Sequence, residues 1–147
     1  MVENMFIGEY THSMDDKGRS ALPSKFRNQL KKGAVVTRGL DSSLFLYPLD
    51  EWKALAQKLS ALPISQGKSR AFARLMLSGA MEVAPDSQGR MLVPEYLRAY
   101  AGIGKKVVFA GLYNRIELWG EDQWMKYKAM TEKESTEIAE AMGEVGI

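Results

Sequence analysis

Asp15-Asp16-Lys17-Gly18-Arg19-Ser20-Ala21-Leu22-Pro23 and Asp86-Ser87-Gln88-Gly89-Arg90-Met91-Leu92-Val93-Pro94 are two copies of one device, set 71 residues apart. The same offset lays Gly8 on Gly79, Arg27 on Arg98, Gly33 on Gly104 and Val36 on Val107. One inserted residue raises the offset to 72, after which Gly39 matches Gly111, Leu40 matches Leu112, Leu46 matches Leu118, Asp50 matches Asp122 and Trp52 matches Trp124. Ordered Asp, Gly-Arg, Pro and Trp pairs over about 45 residues are the mark of a duplication, not of chance glycine coincidences.

Each half predicts the same elements. A strand over residues 8–14 or 79–84 leads into a polar turn, and a short strand over residues 19–22 or 90–93 closes the hairpin. Asp15 and Asp86 can accept hydrogen bonds from the turn amides, and Gly18 and Gly89 accept the positive φ that ends such a turn. Pro23 and Pro94 suit the first turn of helices reaching about Leu30 and Ala101, with Gly102 as a stop. Strands follow over residues 34–38 and 44–47, and again over 106–110 and 115–119; each half then ends in a helix opened by an N-cap acid, Asp50 or Asp122. Between the halves, residues 65–78 read as a helix capped by Ser65, with Phe72, Leu75 and Met76 on one face and Lys68, Arg70 and Arg74 on the other. The expected class is α+β. Residues 5–53 and 79–124 form the two repeats, 54–78 a helical connector, and 125–147 an acidic C-terminal helix or tail.

The chain has 147 residues, 46% of them hydrophobic, which suits one compact domain or two small subdomains sharing a core. No apolar run approaches the roughly 20 residues of a membrane span, and no signal-like N-terminus appears, so a soluble cytoplasmic protein is expected. With no cysteine and the single histidine His12, disulfides, thiol nucleophiles and the usual Cys/His zinc sites are excluded. His12, in a strand opposite Val83 of the other half, is expected to be half-buried. No Gly-rich phosphate loop followed by Lys-Ser/Thr, no Gly-x-Ser-x-Gly and no His-Glu-x-x-His occurs, so no cofactor, small-molecule substrate or enzyme chemistry is indicated. The net charge of +2 hides an uneven distribution. Residues 131–147 carry five acids against one base, net −4, so residues 1–130 carry +6.

Half of such a duplication buries little surface alone, so the economical arrangement packs the halves face to face as a pseudo-two-fold unit. That brings the two hairpins together, with Arg19 and Arg90 as a symmetric pair and Arg27 and Arg98 on the following helices. Two roles are open to Asp15 with Arg19 and to Asp86 with Arg90. They can brace the turn as ion pairs, the role chemistry alone favours, or present planar guanidinium forks to phosphates and guanine edges. Lys31-Lys32 and Lys105-Lys106 read as solvated loop charges, and the duplicated Trp residues as core anchors.

The segment from Asp15 to Arg27 and its echo from Asp86 to Pro94 resemble the paired Asp-x-x-x-Arg signature of the MraZ family, as do Met5-Phe6-Ile7-Gly8-Glu9-Tyr10 and Asn114-Arg115-Ile116-Glu117-Leu118-Trp119. The resemblance implies tandem AbrB-like swapped-hairpin repeats in a double-psi-barrel-like unit. It also implies a transcriptional regulator, usually a repressor, of the division and cell wall gene cluster. Such a protein binds short direct repeats of double-stranded DNA in its own promoter as a ring-shaped homo-oligomer, and so associates with the nucleoid. Carried onto this chain, the DNA-contacting arginines are Arg19 and Arg90 and the motif acids Asp15 and Asp86, with positioning charge from Lys17, Lys25, Arg27 and Arg98. The second copy departs at Gln88 and Leu97, where the first has Lys17 and Phe26. Two other classes stand beside this one: an antitoxin-like protein-interaction module, and an enzyme on a related pseudo-two-fold barrel.

Overall fold

Phe6 is buried and Tyr10 and His12 are half-buried while Ile7, Glu9, Thr11 and Ser13 are exposed, the two-residue period of a strand, and Phe6–Ser13 is accordingly β1. A computed structural model describes residues 5–146. The first half continues through β2 (Arg19–Ala21), α1 (Ser24–Arg27, prolonged by a 3-10 turn over Asn28–Leu30), β3 (Ala34–Arg38), β4 (Leu44–Pro48) and α2 (Leu49–Ser60). The connector α3 (Gly67–Ala73) widens into a π turn over Arg74–Ser78. The second half repeats the order with β5 (Met81–Val83), β6 (Arg90–Leu92), α4 (Glu95–Ala101), β7 (Lys106–Tyr113), β8 (Ile116–Gly120) and α5 (Glu121–Lys133). Then α6 (Ser135–Ala141) and a 3-10 turn over Met142–Val145 close the described chain; Ile147, the end of the expected acidic tail, lies outside the described residues.

Six strands form an antiparallel sheet in the order β1-β7-β8-β4-β3-β5, and β2 pairs with β6 in a separate two-stranded ribbon. The halves exchange their first strands. β1 lies on β7 of the second half, from Phe6 opposite Tyr113 to Ser13 opposite Lys106, and β5 lies on β3 of the first. Two rungs reveal the internal dyad. In the ribbon Ser20 faces Met91, and at the sheet centre Phe45 faces Glu117. Each of those residues faces its own counterpart in the repeat, so the two-fold axis passes through both rungs.

The main core fills the space between the sheet and the ribbon. Val36, Leu46, Phe109 and Leu118 meet Leu22, Phe26, Met91, Val93 and Leu97, all fully or almost fully buried. On the opposite sheet face Phe45 and Tyr47 pack on Leu59 of α2 and Met76 of the π turn. The duplicated tryptophans anchor this outer layer: Trp52 leans on Tyr47 and Trp124 on Trp119, at 6.0 and 5.4 Å between ring centroids.

Four local expectations are corrected. The closing helices begin earlier than Asp50 and Asp122, because Pro48 and Gly120 occupy the N-cap positions at the strand-to-helix junctions. The two acids sit in the first turn instead, where they complement the helix dipole. Pro23 and Pro94 likewise stand at the N-caps and not inside the first turn; each has ψ near that of a strand, so the chain leaves the ribbon and coils immediately. Gln66, not Ser65, precedes α3, and of its apolar stripe Met76 is buried while Phe72 keeps 37% of its surface. Finally His12 pairs with Val107, since strand exchange places β5, and Val83 with it, on β3.

Because β1 and β5 find their ladders only in the other half, neither half holds a complete sheet. Expressed alone, residues 1–75 should be unstructured as a monomer by circular dichroism, and any folded form should have the mass of a pair in sedimentation. A folded monomeric half would contradict this.

Candidate nucleic-acid interface

Both hairpin turns are built by one carboxylate each, with the same geometry. Asp15 Oδ1 accepts the backbone N–H of Lys17 at 2.9 Å and of Arg19 at 2.8 Å, and Oδ2 accepts Arg19 Nε–H at 2.8 Å. In the second copy Asp86 Oδ1 accepts the N–H of Gln88 and of Arg90, both at 2.9 Å, and Oδ2 accepts Arg90 Nε–H at 3.0 Å. The four-residue spacing of Asp and Arg is therefore the reach of one carboxylate across a type of turn that ends in glycine. The Arg19 backbone N–H, then its side chain and the Lys17 N–H, outweigh partial desolvation and hold the Asp15 carboxyl below the ordinary carboxylate range. The Arg90 N–H, followed by those of Gln88 and the Arg90 side chain, does the same for Asp86.

The pairs remain near the surface, with Arg19 and Asp15 at 35% and 36% side-chain exposure and Arg90 and Asp86 at 34% and 38%. Solvent screens such pairs, so Coulomb attraction contributes little to the brace compared with the backbone hydrogen bonds. Each arginine commits Nε to its aspartate, which fixes the plane of the guanidinium and leaves its outer edge for another partner. Bracing and presentation are thus two aspects of one arrangement.

The ribbon sets where those edges point. Ser20 and Met91 turn inward and are buried, so the alternate residues Arg19, Ala21, Arg90 and Leu92 form the outer face. Arg19 stands across from Leu92, and Arg90 across from Ala21. The two arginines are diagonal neighbours, a relation that sets residues about 7–8 Å apart and their Cβ atoms somewhat closer.

Arg27 and Arg98 are placed differently. Their Nε groups donate to the carbonyls of Leu22 and Val93, each at 2.9 Å. Each guanidinium then lies over the turn glycine of the opposite half: a Cβ built on Gly18 would fall 2.6 Å from Arg98 Nε, and one on Gly89 3.0 Å from Arg27 Nε. Gly18 and Gly89, at φ +85° and +74°, are thus required by both conformation and contact. Lys17 and Gln88 are exposed at the turns. Lys25 is not gathered with them; it lines a separate open hollow with Lys31, Lys32, Asp50 and Glu51. Lys31, which the sequence suggested was a loop charge, also borders an open hollow of about 390 Å³ with Arg27 and the Asp86–Gly89 turn. Its counterpart in the repeat is Gly102, so only the duplication offset combined with the fold reveals that placement. His12 is half-buried against Phe109, and burial, then the charge of Arg27, lowers its pKa.

Among the described residues no cluster of His, Cys, Asp and Glu is arranged to hold a metal ion, and no helix is long and apolar enough to cross a membrane.

Comparison with known proteins gives a consistent result. Residues 5–75 and 76–145 each match a family described as "MraZ protein, putative antitoxin-like". A protein of Clostridium acetobutylicum named Transcriptional regulator MraZ is 47% identical over 143 residues, covering 97% of this chain and 100% of that protein. Its namesake in Halothermothrix orenii is 50% identical over the same length and coverage. The protein of that name in Natranaerobius thermophilus is 46% identical over 136 residues, or 92% of this chain and 95% of its own.

The depressed carboxyl groups give a pH prediction. A carboxylate whose folded pKa lies below its unfolded value stabilises the fold fully above the unfolded value, about 3.9, and that stability is lost as pH falls through the folded pKa. In urea titrations Asp15→Asn should therefore be less stable than the parent at pH 7, with the difference shrinking as pH falls below about 4. A difference independent of pH would show that Asp15 braces the turn without its charge.

Proposed function

The chain belongs to the MraZ family, and from that membership together with the paired hairpins we propose that it is a sequence-specific DNA-binding transcriptional regulator. The observation that carries this is the pair of identically braced arginines on the outer face of one two-stranded ribbon. A ribbon of that width fits the major groove, and an arginine fork there matches guanine O6 and N7. The diagonal spacing of about 7–8 Å is close to two base-pair rises of about 3.4 Å, which lets both arginines engage one duplex face.

In this mechanism Arg19 and Arg90 contact base edges, while Asp15 and Asp86 fix their planes. Lys17, Arg27 and Arg98 supply phosphate contact, with Lys31 added beside the second turn and Lys25 farther out. Residues 5–53 and 79–124 act as two AbrB-like swapped-hairpin repeats, a reading supported by the exchange of β1 and β5 between the halves. One chain offers few base contacts. Several chains in a ring, engaging short direct repeats in the promoter of the division and cell wall gene cluster, gain affinity through effective concentration. The acidic α6, all exposed, is the segment available for contact with a neighbouring subunit. Nucleoid association follows from DNA binding, and no catalytic role is proposed.

Gel-shift titration on the duplex upstream of the gene tests the mechanism. Arg19→Ala and Arg90→Ala should each weaken binding by about 1–3 kcal/mol, roughly 5- to 150-fold, with circular dichroism and assembly mass unchanged. Affinity of the parent should fall steeply with salt, in proportion to the phosphates neutralised. If both variants fold, assemble and bind like the parent, the hairpins are braces only, and an antitoxin-like protein-interaction role becomes the better account.

A further inference from the structure

We infer that Leu92 is a specificity-determining residue of the ribbon, contacting the 5-methyl group of a thymine beside the base met by Arg19; this rests on the DNA-binding role proposed above. Leu92 is one of only four side chains on the ribbon's outer face and keeps 51% of its surface exposed. Its own strand neighbour Met91 is buried at 1% and its cross-strand partner is Arg19. The bonds from Leu22 N–H to Gly89 O and from Val93 N–H to Gly18 O fix the ladder phase. In that phase Arg19–Leu92 and Ala21–Arg90 are non-hydrogen-bonded pairs, the kind whose side chains stand closest, at about 4.5–5.5 Å between Cβ atoms. Leu92 thus stands beside the stem of Arg19 on the same outer face, so a duplex seated on that face meets both side chains.

The dyad makes the leucine informative. Its counterpart in the other half is Ala21, the partner of Arg90. The backbone, both aspartates and both arginines obey the two-fold axis, but a large apolar side chain stands on one side and only a methyl group on the other. In the major groove the thymine methyl is the apolar group on the base edges, whereas guanine, adenine and cytosine offer donors and acceptors that leucine cannot satisfy. Leu92 therefore adds a thymine preference next to Arg19, and Ala21 adds no equal reach next to Arg90. The symmetric scaffold acquires a direction, and binds a non-palindromic site in one orientation.

Selection from random duplexes supplies both the binding sequence and the test. Duplexes are enriched from a synthetic, unmethylated random pool with the full chain and with its Leu92→Ala variant. Affinities are then measured by fluorescence anisotropy on the parent's preferred duplex, with each thymine replaced in turn by uracil. We expect one thymine whose loss of methyl weakens the parent about fourfold, the value of burying one methyl group. Leu92→Ala should bind the unmodified duplex about fourfold more weakly and be indifferent to that replacement, and its enriched motif should lose preference at that position. The inference is overturned if Leu92→Ala enriches the same motif with the same thymine preference, or loses the same factor on replacement. It is also overturned if Leu92→Ala changes the assembly mass, which would place Leu92 in a contact between subunits. A parent protein that enriches no motif at all would instead overturn the DNA-binding role itself.

Discussion

The fold turns on a pair of reciprocal hydrogen bonds between the halves. Val93 N–H donates to Gly18 O at 2.8 Å, and Leu22 N–H donates to Gly89 O at 3.0 Å. Each hairpin turn is thereby held by the strand end of the other half, and the carbonyls of Val93 and Leu22 in turn accept Arg98 and Arg27. Since those guanidiniums lie over Gly18 and Gly89, every group in the circuit is fixed by two others. Buried backbone groups at a crossing of two chain segments must find partners, and this arrangement satisfies them without any side chain from outside the motif.

The consequence is rigidity where it is useful. Arginine carries a large rotamer entropy, so a guanidinium free in solvent would lose much of its binding energy on being ordered. Here Nε is already committed to a carboxylate whose position is set by two backbone amides, and the ribbon beneath is pinned by the buried Ser20–Met91 rung. A second tie secures the periphery. Glu9 on β1 accepts from Lys128 Nζ at 2.8 Å and from Trp124 Nε1, joining α5 to the edge strand. The Lys128 ammonium, with a smaller contribution from Trp124, holds the Glu9 carboxyl below its ordinary range, and Glu9 raises Lys128 correspondingly.

Much of this is legible from local chemistry. Asp15 and Asp86 announce turns because a short carboxylate four residues before an arginine can reach two amides and one guanidinium, and Gly18 and Gly89 supply the positive φ that follows. Gly102 ends α4 in the left-handed conformation, as its position suggests. The helix starts are less legible because they depend on the preceding strand. Pro48, with φ −57°, turns directly from β4 into α2, so the helix is under way before Asp50 is reached. The extent of β7 is hidden as well: it runs to Tyr113 because β1 pairs along its full length, and that partner lies about 100 residues away in the chain.

By itself the sequence determined the duplication, the hairpins and the charge division between a basic body and an acidic C-terminal segment, since each is set by residue identity and spacing within one turn, one strand or one repeat. Only the tertiary structure decided which half completes which sheet, that Arg27 and Arg98 cross to the opposite turns, that Lys31 borders the second hairpin, and that Leu92 stands beside Arg19. Those relations link residues whose separation along the chain carries no information about their separation in space. They are fixed by strand exchange and by the buried hydrogen bonds at the dyad, which exist only once both halves are folded together.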